Sequence, residues 1–452
     1  MTRFTVGLTN VFAIADDLSG AAETAAALIP LSAQNAHESR RRSGFAARVW
    51  LVPNDPATVT LEPFGNSLVV LDSDSRRLTA VHAAVRLDTL LRRIPEQPGS
   101  APWVFLKVDS LLRGHISGDL EVLLRRGPVI LAPALPALGR GTIGGIVHSE
   151  GVPLHESALW SAEADAAPAT IAEAVAPLAS GAVELATVRG DVAALDAVLA
   201  TLAEQQRIAI CDAETTQDLD IIVAAALRRG SVQLAGASAL GAALLRALTT
   251  TEFGEVNEDF RNSSGLTEPA PAGDVGSSDA VARQPVLLVV GTASATSRVQ
   301  LDVLAASGVP VVRLEPAELL HGTADSSTLR AALLAGPVAV STGASDFDPE
   351  VSTALSAALA EFVAPMAWNI PLVLTGGETA RTVLDALGVQ WLEPLAEIHY
   401  GAVLSLTDRN TLVVTRPGTF GGHNSLRTIL DRVHSHLAAD TVLPEMPRKA
   451  PL

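Results

Sequence analysis

The residues able to do chemistry sit in a few short segments. In Ala13-Ile14-Ala15-Asp16-Asp17-Leu18-Ser19-Gly20, two carboxylates end an apolar run and precede a glycine turn into a helix. Ligands of open α/β sheets sit beyond the carboxyl ends of strands, so Asp16 or Asp17 could take a proton from a bound hydroxyl; either could equally cap the helix. In Leu71-Asp72-Ser73-Asp74-Ser75-Arg76-Arg77, Arg76 could clamp a carboxylate through paired hydrogen bonds, with a solvated turn as the plainer reading. Phe105-Leu106-Lys107-Val108-Asp109-Ser110-Leu111-Leu112-Arg113-Gly114 says more, because it puts Lys107, Asp109, Ser110 and Arg113 in one strand-to-loop transition. A buried Lys107 needs an anionic partner. The helix expected over Gly118–Leu124 would add its amides, and the loop Ala132–Gly141 brings another cation, Arg140.

Three glycine loops follow strands in the second half. Gly291-Thr292-Ala293-Ser294 offers hydroxyls and amides to a phosphate, although it is not the GxxxxGK[ST] pattern. Thr375-Gly376-Gly377-Glu378-Thr379 and Arg416-Pro417-Gly418-Thr419-Phe420-Gly421-Gly422 repeat the arrangement. Each alone is an ordinary tight turn, but three in one α/β domain suit nucleotide binding.

Alternating strands and helices must position these segments. Apolar runs at Val11–Ile14, Val49–Val52, Leu68–Leu71, Val104–Val108, Val129–Leu131 and Ile208–Cys211 read as strands, with helices at Thr79–Arg93 and Ala193–Leu202. In the first helix Val81, Val85, Leu87 and Leu91 are expected on the core side. Residues 251–284, rich in Ser, Gly, Pro and acids, cannot offset their ordering entropy by burial and read as a flexible linker. A second alternation begins at Val286–Val290 and continues through Val311–Leu314, Val338–Val340, Leu372–Leu374 and Leu412–Thr415. The expected architecture is two α/β domains, residues 1–250 and 285–437, joined by the linker, with the active site in the cleft between them and a frayed tail at 438–452.

Composition narrows the partners. A length of 452 residues suits two cores, and a formal charge of −17 disfavours nucleic acid as a partner. The one cysteine, Cys211, lies in a strand-like run and reads as a packed thiol. No apolar stretch of secretory or membrane-spanning length follows Met1, so no membrane partner and a cytoplasmic setting are expected. A homodimer is allowed. No metal ligand is assigned.

The motifs from Asp16 to Ala21, from Lys107 to Gly114, from Gly376 to Ala380 and from Pro417 to Gly422 resemble, in sequence and in order, those of the four-carbon acid sugar kinases. The likeness spans nearly the whole chain. It implies an N-terminal sugar-acid domain, a C-terminal nucleotide domain, and ATP-dependent phosphorylation of threonate, erythronate or 3-oxo-tetronate-type acids. Mg²⁺ is expected with the ATP, because phosphoryl transfer concentrates charge on oxygens that a divalent ion neutralises. By motif, Asp16, Asp17, Arg76, Lys107, Asp109, Ser110 and Arg113 would face the acid, with Asp17 or Asp16 as base. Ser294, Gly376, Gly377, Glu378, Thr379, Gly418, Thr419, Phe420 and Gly421 would face ATP. The family usually has Thr where this chain has Ser19 and Leu111, and the second change removes a hydroxyl from the site, so the resemblance fixes reaction class more firmly than substrate. A non-catalytic sensor of an acidic metabolite is the alternative.

Overall fold

The computed structural model describes residues 11–27, 46–61, 67–95, 103–160, 165–230, 232–253, 284–291, 294–342, 349–418 and 420–441. The chain divides into two compact units, Met1–Leu266 and Thr267–Leu452. Of the expected linker, residues 254–283 lie outside the described residues, as do 442–452 of the expected tail.

The first unit contains strands β1 (Val11–Ala15), β2 (Ala46–Leu51), β3 (Ser67–Asp72), β4 (Trp103–Lys107), β5 (Val129–Ala132), β6 (Arg140–Ile143), β7 (Ile146–Ser149), β8 (Val152–Pro153), β9 (Ser180–Val183), β10 (Ile208–Cys211) and β11 (Gln233–Gly236). Eight form a parallel sheet in the order β2-β3-β1-β4-β11-β5-β10-β9, and β6, β7 and β8 make a small antiparallel sheet. Every residue of β1, β4, β5 and β10 is buried. Helices on both faces of a parallel sheet demand this, which is why these strands read as unbroken apolar runs rather than alternating ones. The longer helices are α1 (Leu18–Ala26), α2 (Ala80–Arg93), α3 (Ile116–Leu124), α4 (Val192–Glu204), α5 (Thr216–Arg229) and α6 (Ser238–Phe253).

One expectation about α2 fails. Val81 and Val85 are exposed, and the helix buries Ala83, Arg86, Leu87, Leu90 and Leu91 instead. The reason is Arg86, whose guanidinium donates to the carbonyls of Val52 (3.0 Å), Pro53 (2.8 Å), Asn54 (2.9 Å) and Ser73. These bonds tie the ends of β2 and β3 to the helix and turn the valine side outward.

The second unit contains β12 (Leu287–Val290), β13 (Val311–Leu314), β14 (Val338–Thr342), β15 (Leu372–Thr375), β16 (Trp391–His399), β17 (Ala402–Thr407) and β18 (Leu412–Arg416). Their order is β13-β14-β12-β15-β18-β17-β16, parallel through β18 and antiparallel in the final ribbon. Helices α7 (Ala295–Ala306), α8 (Pro349–Val363), α9 (Gly377–Ala386) and α10 (Ser425–Thr441) complete the elements that matter to its glycine loops.

Candidate active site

In the first unit, register brings the chemistry together. Ala15 pairs with Asp72 on β3 and Lys107 on β4, and Lys107 pairs with Gly236 on β11. The loops after β1, β3 and β4 therefore leave the sheet side by side, at the edge where α/β ligands bind. Backbone bonds fix the first two loops to each other, since Ser75 N and Arg76 N both donate to Asp16 O, at 3.0 and 3.2 Å.

Arg76 then holds both acids. Its Nε and Nη2 donate to the two oxygens of Asp16 at 2.7 and 2.8 Å, and its Nη1 to Asp17 Oδ2 at 3.0 Å. The other Asp17 oxygen accepts from Gly20 N at 2.9 Å, so Asp17 caps α1 while it binds Arg76. Burial raises the Asp16 pKa and the Asp17 charge adds to that, against the opposing pull of Arg76. Asp109 goes the other way. Burial would raise it, but Arg113, Arg76 and Lys107 outweigh burial and bring it to about 2. Its carboxylate accepts from Arg113 Nε and, at 3.0 Å, from Leu111 N. Asp109 is thus a fixed anion that orients its loop.

Gly114 and Gly20 close the cluster. A Cβ on Gly114, whose φ is +92°, would lie 2.8 Å from Asp16 Oδ2, and one on Gly20 would lie 3.0 Å from Lys107 Nζ. Lys107 is 7% exposed, yet among the described residues no carboxylate comes within 4.0 Å of its amine. Ser110 Oγ accepts from Arg140 Nη1 at 2.7 Å. Arg140 opens β6, and the β6–β7 turn is anchored by Asp212, which accepts from the amides of Gly144 and Gly145 at 2.7 and 2.9 Å. Of the expected acid-site residues, Lys107 thus ends β4, and Asp16, Asp17, Arg76, Asp109, Ser110 and Arg113 lie on the adjacent loops that follow β1, β3 and β4.

Asp119 escaped the sequence reading. It is 9% exposed in the first turn of α3, and burial, reinforced by the Asp16 charge, raises it to about 7. The available signal was its place in the helix after the Lys107–Gly114 motif, but an acid in a first turn ordinarily serves the helix dipole.

In the second unit, Val290 pairs with Thr375 and Thr375 with Arg416, so the three glycine loops also leave neighbouring strands together. Gly376 has a φ of +95° and occupies the N-cap of α9 with no capping side chain, leaving that helix's first amides to another acceptor. Glu378 is half-buried in the same first turn. Thr379 packs against Gly291, where a Cβ would approach its Oγ1 to 1.9 Å. Ser294 caps α7 through Ser297 N at 3.1 Å. Phe420 faces Tyr400, with ring centroids 5.9 Å apart. Thr419 lies outside the described residues. These backbone-rich cradles, closed to any Cβ at Gly291, fit a polyphosphate. Gln300 and Arg416 lie behind them and had no role in the sequence reading.

Residues 11–244 match the family described as "Sugar-binding N-terminal domain", and 287–426 the family described as "Nucleotide-binding C-terminal domain". A D-threonate kinase of Cupriavidus necator is 34% identical over 441 residues, covering 91% of this chain and 95% of the relative. The chain belongs to the four-carbon acid sugar kinase family. A 3-oxo-tetronate kinase of the same organism is 25% identical and covers 94% and 97% of the two chains, and a D-erythronate kinase of Heliobacterium modesticaldum is 30% identical over 49% of each. These relatives are named as kinases, so the sensor alternative has no support. The two-domain α/β architecture and the expected sugar-acid kinase activity are borne out. No helix among the described residues is long and apolar enough to cross a membrane.

Proposed function

We propose that this sugar-acid kinase transfers the γ-phosphate of ATP to a hydroxyl of a four-carbon acid of the threonate, erythronate or 3-oxo-tetronate type. The observation that carries the substrate class is Lys107. Asp16 is already matched by Arg76 and Asp109 by Arg113, whereas Lys107 is a buried cation beside them with no ion pair among the described residues. A buried charge left in this state is costly, and the carboxylate of a small acid would relieve it.

In the reaction, the substrate oxygen bonds to phosphorus, the bond from phosphorus to the bridging oxygen breaks, and ADP leaves. The hydroxyl proton passes to Asp17 or Asp16. Asp16 suits this because burial raises its basicity while Arg76 holds it in place. Asp109, held at about 2, is left to orient.

Mg²⁺ would neutralise charge on the transferring phosphate. No cluster of three or more His, Cys, Asp or Glu able to hold a metal occurs among the described residues. This suits an ion that arrives on the nucleotide and keeps several waters. The test is ADP formation by purified protein with ATP, Mg²⁺ and both enantiomers of threonate and erythronate, with and without chelator. Turnover with at least one acid, abolished by chelator, supports the reading; no turnover with any of them defeats it.

A further inference from the structure

The guanidinium of Arg416 is wholly buried at the end of β18, and no carboxylate among the described residues pairs with it. Its bonds all go to neutral groups. Nη1 donates to Ser425 Oγ at 2.7 Å, Nη2 to Gln300 Oε1 at 2.8 Å, and Nε to Pro417 O at 3.3 Å. Gln300, 1% exposed, is held by its oxygen and uses its amide nitrogen on the glycine loop, donating to the carbonyls of Phe420, Gly421 and Gly422 at 3.3, 3.0 and 3.0 Å. Ser297, one helical turn before it, donates to Gly418 O at 2.9 Å.

The consequence is directional. Four carbonyls of residues 418–422 are drawn inward, and the amides of Gly418, Gly421 and Gly422 donate to no acceptor among the described residues. Loop amides left without a protein acceptor, with a positive charge behind them, suit an anion. A neighbouring chain of bonds fixes the polarity. Arg416 can only donate, so Ser425 Oγ accepts from it, and the same oxygen lies 2.8 Å from His399 Nε2; Tyr400 O can only accept, so His399 Nδ1 carries a proton and donates to it at 3.2 Å. Burial and the Arg416 charge pull the His399 pKa down.

We propose that Gln300 and Arg416 are positioning residues for the nucleotide: Gln300 turns the loop's amides outward to a phosphate, and that phosphate supplies the counter-charge Arg416 lacks. This rests on the nucleotide reading given above.

The test is calorimetric titration of ATP and of the acid into the full chain and its Gln300→Leu and Gln300→Glu variants, with folding followed by thermal melting. Glutamate still accepts from Arg416 but cannot donate to the carbonyls and cancels the guanidinium charge, so both variants should bind ATP at least about ten-fold more weakly while binding the acid as before. The KM for ATP should rise with that for the acid unchanged. Ser297→Ala, a smaller change that removes the 2.9 Å bond to Gly418 O and the 3.0 Å bond from Ser294 Oγ, should weaken ATP binding in the same sense and serves as the readout should Gln300 variants misfold. Wild-type affinity for ATP, within about two-fold, in folded variants overturns this inference alone. Failure of the unmodified chain to bind ATP overturns the nucleotide reading and the inference with it.

Discussion

Arg76 grips Asp16 through two hydrogen bonds of 2.7 and 2.8 Å, and sends a third, of 3.0 Å, to Asp17. One cation thereby sets the orientation of both candidate bases. Replacing it with methionine leaves two adjacent carboxylates unmatched. Arg76→Met should lower kcat and melt earlier, by somewhat less than the roughly 3–5 kcal/mol that breaking a fully buried pair costs, because the Arg76 side chain is 28% exposed. Thermal melts and steady-state kinetics decide this, and an unchanged kcat would remove Arg76 from the site.

The base assignment has its own test. Asp17→Asn or Asp16→Asn should cut kcat by roughly 10²–10⁴ with ATP affinity nearly intact, the range for loss of a general base. If Asp109→Asn abolishes turnover while both other variants keep it, Asp109 takes the role despite its low basicity.

At the glycine loops the prediction concerns the other substrate. Gly376 has a φ of +95°, so Gly376→Val adds both backbone strain and a branched side chain where the backbone is to meet phosphate. KM for ATP should rise more than KM for the acid, and Gly418→Val should do the same. Unchanged ATP kinetics in folded variants would show that these loops do not hold the nucleotide.

Asp119 yields a prediction about stability. Its folded pKa of about 7 lies above the ordinary 3.8, so the folded protein holds a proton that the unfolded chain releases. The penalty is absent below about pH 4, grows as pH rises, and is complete above about pH 7. Asp119→Asn, which stays neutral, should melt several degrees higher than wild type at pH 8, and the difference should vanish toward pH 4. Asp109 carries the opposite sign, its contribution being present above about pH 4 and lost as pH falls through about 2. Equal melting of the Asp119 variant and wild type at pH 8 would contradict the burial argument.

Most parallel strands were legible because burial on both faces leaves unbroken apolar runs, as in β10, which matches its expected bounds; β13 matches as well although it is only partly buried. The parallel strands β9 and β11 were missed, since Ser180, Gly181, Gln233 and Gly236 interrupt their short apolar runs. The antiparallel ribbon of β16 and β17 was not, since its burial is mixed and Pro394 interrupts β16. The acid-site residues were legible because they crowd into short strand-end segments. Gln300 and Arg416 were not, because their meaning lies in pairing across 116 residues of sequence. The one retrospective signal is the spacing of Ser294, Ser297 and Gln300, which share one side of a helix opening from a glycine turn. Helix α2 misled for a related reason: a buried arginine, not a valine stripe, fixed its inward face.

The most direct measurement is ³¹P NMR of the purified protein incubated with ATP, Mg²⁺ and, in separate reactions, the enantiomers of threonate and erythronate and a 3-oxo-tetronate. The account predicts a new phosphate monoester resonance that grows in step with ADP with at least one of these acids, and that Lys107→Met suppresses it by raising the KM for the acid while ATP still binds. ADP released together with inorganic phosphate and no ester, or ester formed equally well by the folded Lys107→Met variant, would contradict it.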